Sequence, residues 1–201
     1  MKQRTLVVVS SGLSQPSSTR LLADQLAAAT VADAAERDIE LRVEVIELRD
    51  LAHDIMNNLL TGFPPANLRK ALDAVIGADA LIAVSPIFSA SYAGLFKSFF
   101  DVVDKDALVD KPVLIAATAG TARHSLALEH SLRPLFAYLR AVTVPTSVFA
   151  ATDDWGSDSA DGFLQSRVSR AAQELVTEID RREPVEIVDP FALNHSFRDM
   201  L

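Results

Sequence analysis

The residues most suited to chemistry come early, in Ser10-Ser11-Gly12-Leu13-Ser14-Gln15-Pro16-Ser17-Ser18-Thr19-Arg20, where seven residues bear a hydroxyl or are glycine. A β-branched run precedes this stretch and a helical pattern follows it. The start of a helix offers unpaired N–H groups and a positive dipole end, and short hydroxyls add donors without bulk. Such a loop cradles a phosphate. It has neither the G-x-G-x-x-G spacing of a dinucleotide loop nor the Gly-Lys-Ser/Thr of a P-loop, so a single phosphate suits it better than a dinucleotide or a nucleoside triphosphate. Ser and Thr are equally common at helix N-caps in polar loops, and this loop alone leaves both readings open.

Two further stretches carry the same character. Ser85-Pro86-Ile87-Phe88-Ser89-Ala90-Ser91-Tyr92-Ala93-Gly94-Leu95-Phe96-Lys97 begins at the end of an apolar run, which Pro86 is expected to terminate. That leaves Phe88 and Tyr92 in a loop. A flat heteroaromatic ring needs an apolar or aromatic face and backbone donors at its polar edge. Phe96, Phe99 and Phe100 read instead as the buried face of the next helix, and Lys97 as a surface residue or the partner of an acid. The third stretch is Thr118-Ala119-Gly120-Thr121-Ala122-Arg123-His124, where Gly120 lets the backbone approach a planar ligand. Three small-residue loops on one edge of one sheet point to a phosphate with a ring attached. Flavin mononucleotide (FMN) is such a ligand.

The elements that must position these loops are legible. Short β-branched runs occur at Leu6–Ser10, Leu41–Leu48, Ala80–Ser85, Val113–Thr118 and Val142–Phe149. Helical spacing occupies Ser18–Ala35, Ala66–Gly77, Ala93–Val103, Ser125–Leu139 and Gly162–Arg181. Strands alternating with helices make a parallel sheet covered on both faces. Leu6-Val7-Val8-Val9 and Val113-Leu114-Ile115-Ala116-Ala117 are apolar throughout, as central strands are, whereas Leu41–Leu48 partly alternates and reads as an edge. Five strands predict a flavodoxin-like α/β fold with order 2-1-3-4-5, in which ligands lie outside the carboxyl ends of the strands. Residues 1–181 form the expected domain. Residues 182–201, with Pro184, Pro190, Phe191 and Phe197 but no helical period, form an expected extended arm that covers its own domain or a neighbouring subunit.

Composition narrows the function. The 201 residues are 49% hydrophobic and carry a formal net charge of −8, a balance that repels phosphate backbones and argues against nucleic acid. Without cysteine there are no disulfides, thiolate metal sites or cysteine nucleophiles. His53, His124, His130 and His195 do not have a metal-ligand spacing, and Asp153-Asp154 reads as a polar loop end. No apolar run reaches membrane-spanning length and Met1–Arg4 does not read as a signal peptide, so the expected location is the cytoplasm.

The block Ser85–Lys97, followed by Thr118–His124, resembles the NAD(P)H-dependent FMN reductase family. Within that family it is most similar to the reductase components of two-component alkanesulfonate and methanesulfonate monooxygenase systems. The similarity runs from the first strand to about Asp154. It implies a flavodoxin-like fold, FMN as substrate or prosthetic group, NADPH or NADH as hydride donor, a homodimer or homotetramer, and a flavin-dependent monooxygenase as partner. By position, Ser11, Ser17, Ser18 and Thr19 match the phosphate loop. Pro86, Ile87, Phe88, Ser89, Ser91 and Tyr92 match the loop beside the flavin ring, and Thr118, Ala119, Gly120 and Thr121 the loop over its pyrimidine end. Ala119 replaces one of two adjacent glycines common in the family. His130 stands where the alkanesulfonate branch carries tyrosine in a π-bulged helix at a subunit interface. Hydride transfer needs no side-chain acid or base, so no catalytic side chain is assigned; Arg20 or Arg123 could favour NADPH through its 2′-phosphate. Two other readings share the fold: a quinone, azo or chromate reductase that holds FMN through turnover, and a flavodoxin-type electron carrier that is not an enzyme.

Overall fold

The computed structural model describes residues 1–155 and 158–185, and the side chains of 158–161 are not described. The arm from residue 186 onward, with Phe191, His195 and Phe197, lies outside the described residues. Among the described residues, seven strands and six α-helices occur in the order β1 (Lys2–Ser10), α1 (Ser18–Glu36), β2 (Ile39–Glu47), α2 (Ala52–Thr61), α3 (Ala66–Gly77), β3 (Ala80–Phe88), β4 (Ser91–Tyr92), α4 (Gly94–Val102), β5 (Pro112–Ala119), α5 (Arg133–Tyr138), β6 (Val142–Thr143), β7 (Val148–Ala151) and α6 (Asp158–Asp180).

The sheet runs β2-β1-β3-β5-β6, with β7 also beside β5 and all of these neighbours parallel. This is the flavodoxin-like order, but not with five strands. Its last position is filled by two short strands in succession. Pro145 lies between them and has no N–H for a ladder. The gap is stitched from both sides. Arg133 donates through Nη1 to Thr143 Oγ1 (2.8 Å) and Val144 O (3.1 Å), and through Nη2 to Pro145 O (3.2 Å). Glu174 of α6 accepts from Thr146 N (2.6 Å) and Thr146 Oγ1 (2.7 Å).

Strand alternation builds two cores from one sheet. Val7, Val9, Leu81, Ala83, Val113 and Ile115 pack with α2 to α5, while Leu6, Val8, Ile82, Val84 and Leu114 pack with α1 and α6. The continuous apolar runs foreseen as central strands are therefore alternating faces, both covered. β2 lies at the edge, as its polar alternation foretold. On one face Phe96, Phe99 and Phe100 of α4 meet Phe136 of α5, with Phe100–Phe136 centroids 5.0 Å apart and edge-on.

Three local expectations change. The segment Ala52–Thr61 forms α2, which the periodicity reading passed over. The stretch Ser125–Leu139 is not one α-helix: Leu128–Leu132 is π-helical and leads into the short α5, with Pro134 near its start. Pro86 does not end β3, which continues to Phe88. β1 leaves β3 at Ser10↔Val84, so by Pro86 only β5 is paired on β3, and a proline is tolerated at such a half-edge.

At the N-terminal edge of the sheet the two ends of the described chain are tied together. Asp79 accepts from Thr5 N (2.6 Å) and Val185 N (2.9 Å), Arg4 Nη2 donates to Arg182 O (3.0 Å), and Lys2 pairs with Asp180 (2.6 Å). Nearby, Lys111 is buried, and its Nζ donates to the carbonyls of Val75 (3.0 Å), Ile76 (2.7 Å) and Ala78 (2.6 Å). It satisfies carbonyls left unpaired at the C-terminal end of α3, in place of a glycine cap.

Candidate functional site

A cleft of about 350 Å³ opens at the carboxyl edge of the sheet, lined by Leu13, Ser14, Ser18, Thr19, Pro86, Ile87, Phe88, Thr118, Ala119, Gly120 and Thr152. That volume is within the ~300–1,000 Å³ of small-molecule sites. The loops after β1, β3 and β5 converge here because those strands are adjacent and parallel. Every lining side chain is apolar or a hydroxyl, apart from Gly120, which has none.

The first loop is shaped by its own contacts. Ser17 is the N-cap of α1, and its Oγ accepts from Arg20 N at 3.2 Å, while Ser17 O accepts from Leu21 N at 3.0 Å. The first N–H groups of a helix have no intrahelical acceptor, so those of Ser18 and Thr19 remain for a ligand. Gly12 packs against this cap so closely that a Cβ there would lie 2.0 Å from Ser17 Oγ. Ser11 is turned inward: its N and Oγ both donate to Val84 O, at 3.1 and 3.3 Å. Arg20 is held by Asp24 (2.7 Å) and Glu47 (2.6 Å), hydrogen bonds that raise its pKa above the usual guanidinium value.

The second loop is a hairpin. β4 pairs antiparallel with the end of β3, Ile87 opposite Tyr92 and Phe88 opposite Ser91. Its two-residue turn, Ser89-Ala90, has φ of 48° and 69°. Both residues sit in the left-handed region that type I′ hairpins require and that side chains adopt at a cost. Phe88 and Tyr92 are thus strand residues, and they part ways. Phe88 is 49% exposed on the cleft wall, whereas Tyr92 packs toward the core with its ring 5.8 Å from that of Phe96. Buried Ser85 fixes the base of the hairpin, accepting from Ala93 N at 3.0 Å and donating to Pro86 O at 2.9 Å. Lys97 pairs with Asp101 on the surface of α4.

In the third loop Gly120 has open space where a Cβ would stand, and Thr118 Oγ1 lies 2.8 Å from Thr19 Oγ1. Thr121 precedes the short turn Ala122–His124, in which Arg123 is exposed. Of the residues read as flavin contacts, the cleft brings together Ser18, Thr19, Pro86, Ile87, Phe88, Thr118, Ala119 and Gly120. Ser11, Ser17, Ser89, Ser91, Tyr92 and Thr121 do not line it. The sequence reading missed Leu13, Ser14 and Thr152. The first two lie inside the loop already singled out, but nothing in the sequence brings the turn after β7, with Thr152, to the same cleft. Asp154 closes that turn, accepting from Ala151 N at 2.7 Å.

A second cavity, of about 420 Å³, adjoins this edge beside the π-helical turn, with Leu126, Glu129, Phe163 and Arg167 in its wall. His130 lies in the turn and is exposed. Glu129 Oε1 accepts from Ser147 Oγ (3.0 Å), and Arg133 Nε donates to Glu129 Oε2 (2.6 Å). The Arg133 hydrogen bonds hold the Glu129 carboxyl below the usual range.

The donor set fits a phosphate monoester that carries a flat ring: free helix N–H groups and hydroxyls from the first loop, with Phe88, Pro86 and a side-chain-free Gly120 from the other two. The sequence model of a family described as NADPH-dependent FMN reductase matches residues 4–156. The chain belongs to that family. An FMN reductase (NADPH) of Pseudomonas aeruginosa is 41% identical over 169 residues, 84% of this chain and 88% of the relative. The NADH-dependent FMN reductase SfnE of Pseudomonas putida is 37% identical over 172 residues, 85% of this chain and 90% of the relative. Among solved structures, an oxidoreductase from Corynebacterium diphtheriae superposes with a TM-score of 0.88 at 46% identity, covering 91% of this chain and all of that one. The apo form of the NADH:FMN oxidoreductase EmoB gives 0.73 at 29% identity, covering 84% and 88%. The family match spans all three loops of the cleft. Among the described residues, no helix is long and apolar enough to cross a membrane.

Proposed function

We propose that this FMN reductase family member oxidises NADPH or NADH and passes the hydride to FMN held in the cleft at the carboxyl edge of the sheet. The observation that carries the reading is the convergence of the loops after β1, β3 and β5 on one cleft lined by both hydroxyls and apolar side chains. Bound there, FMN supplies hydride-accepting chemistry that no side chain of the cleft possesses. The N–H groups of Ser18 and Thr19, at the positive end of α1, hold the phosphate. Pro86, Ile87 and Phe88 present an apolar wall to the ring, and Gly120 leaves room for a planar molecule to lie against the backbone. The cleft side chains therefore bind, orient and exclude water, and none of them needs to move a proton.

From the resemblance to reductase components of two-component monooxygenase systems we further infer that the chain feeds reduced flavin to a monooxygenase in the cytoplasm, as a homodimer or homotetramer in which the π-helical turn bearing His130 meets another subunit. In the proposed organisation, residues 1–181 form the catalytic domain and 182–201 an arm that covers it or its neighbour.

The test is steady-state oxidation of NADH and NADPH with and without added FMN, FAD and riboflavin, on protein passed through gel filtration. Colourless protein whose nicotinamide oxidation depends on added FMN supports the proposal. Yellow protein that reduces a quinone or azo dye without added flavin would favour a reductase with resident FMN, and no oxidation with FMN present would favour an electron carrier.

A further inference from the structure

Thr19 and Thr118 come from different elements, the first turn of α1 and the end of β5, yet both line the cleft. They are 2% and 3% exposed, their hydroxyls are 2.8 Å apart, and either can be the donor. Among the described residues, neither hydroxyl has a second hydrogen bond. Each hydroxyl brings one proton. One of the two protons is shared between the oxygens, so one is left over, on whichever oxygen accepts. A buried donor without an acceptor is costly, and the cleft is where an acceptor for it arrives.

The direction of the pair therefore depends on where the ligand's acceptor sits. An anion at the N-terminus of α1 draws the spare proton onto Thr19, which requires Thr118 to donate to Thr19. The chain then reads Thr118 O–H to Thr19 O–H to phosphate oxygen, each link polarising the next. We propose that Thr118 is a positioning residue for the phosphate ester, aiming the Thr19 hydroxyl at it from the end of β5. The inference rests on the FMN reading above and reverses the role position alone implied for Thr118, which was the pyrimidine end of the ring.

Calorimetric titration of the full chain with FMN and with riboflavin, which has the ring but no phosphate, separates the two roles. Thr118→Val should weaken FMN about tenfold and leave riboflavin within about twofold, while Thr118→Ser, which keeps the hydroxyl, should bind FMN as the parent does. Thr19→Val should show the same split, and the double variant should bind FMN no more weakly than Thr19→Val alone. Equal losses for FMN and riboflavin, or penalties at Thr19 and Thr118 that add, would overturn the proposal while leaving the FMN reading intact. A parent protein that binds neither flavin would overturn both. Thr118→Ala carries the same comparison if the valine variant does not fold.

Discussion

Replacing Gly12 with alanine isolates what holds the phosphate loop in shape. Gly12 is not in the left-handed region, so alanine is acceptable to its backbone and the penalty lies in one contact. The new Cβ would stand 2.0 Å from Ser17 Oγ, and the hydroxyl must leave. Its departure breaks the N-cap bond to Arg20 N. Loss of a cap costs about 1 kcal/mol, and an off-rotamer side chain about another 1 kcal/mol. The lower entropy of the unfolded alanine chain offsets roughly 0.5 kcal/mol. A net loss of about 1.5 kcal/mol lowers Tm by roughly 3–6 °C in a domain of this size. The informative measurement is the double-mutant cycle with Ser17→Ala, read by thermal and urea unfolding without ligand. Ser17→Ala alone should cost about 1 kcal/mol. In its background the 2.0 Å contact is gone, leaving Ser17 Cβ at 3.1 Å and Thr19 Cβ at 3.2 Å, distances that close with shifts of a few tenths of an ångström. Gly12→Ala should then cost little, giving a coupling of about 1.5 kcal/mol. Additive losses would refute the reasoning, since they would place the cost of alanine somewhere other than the cap.

Two other substitutions probe the ligand end and the opposite edge. Gly120→Ala meets nothing within 4 Å, so unfolding should stay within about 0.5 kcal/mol of the parent. Its methyl occupies space in the cleft and should weaken FMN about fivefold or more; unchanged affinity by calorimetry would move the ring away from Gly120. Burial pulls the pKa of Lys111 from 10.5 down to about 8, against the opposing pull of Asp79. Between those values the unfolded chain binds more protons than the folded one, so this residue makes stability rise with pH across that window and adds nothing below it. The difference of 2.5 bounds the rise at about 3 kcal/mol, and the three carbonyl acceptors, which favour the ammonium, reduce it. Urea unfolding of Lys111→Met at pH 7 and pH 10 should lack this component, and an identical pH response in parent and variant would refute it.

Much of this was legible because it depends on local patterns. The strands and helices flanking the three loops appear where β-branched runs and helical spacing place them, and Ala66–Gly77 matches α3 residue for residue. What the sequence concealed depends on distant partners. Pro86 looks like a strand end until β1 is seen to have stopped beside it. Val142–Phe149 looks like one strand, and it takes distant partners such as Arg133 and Glu174 to satisfy its break around Pro145. Tyr92 and Phe88 are equivalent as letters, yet the pleat of a two-residue strand pair sends one toward Phe96 and the other to solvent. Ser11 and Ser17 have the composition of phosphate ligands but are engaged by Val84 O and Arg20 N. Serine supplies both the cradle and its scaffold, and sequence does not separate the two.

The knot formed at the N-terminal edge by Asp79, Arg4 and Arg182 has a practical corollary. Thr5 and Val185 share the Asp79 carboxylate and Lys2 pairs with Asp180, so both lie at the edge opposite the cleft, Lys2 about 26 Å from Ser10 along β1. That makes this edge the natural place for a surface tether. A chain immobilised there would present its cleft outward. A circular permutant that joins residue 185 back to residue 2 and opens elsewhere, as at the exposed tip Gly62-Phe63, should keep the cleft intact.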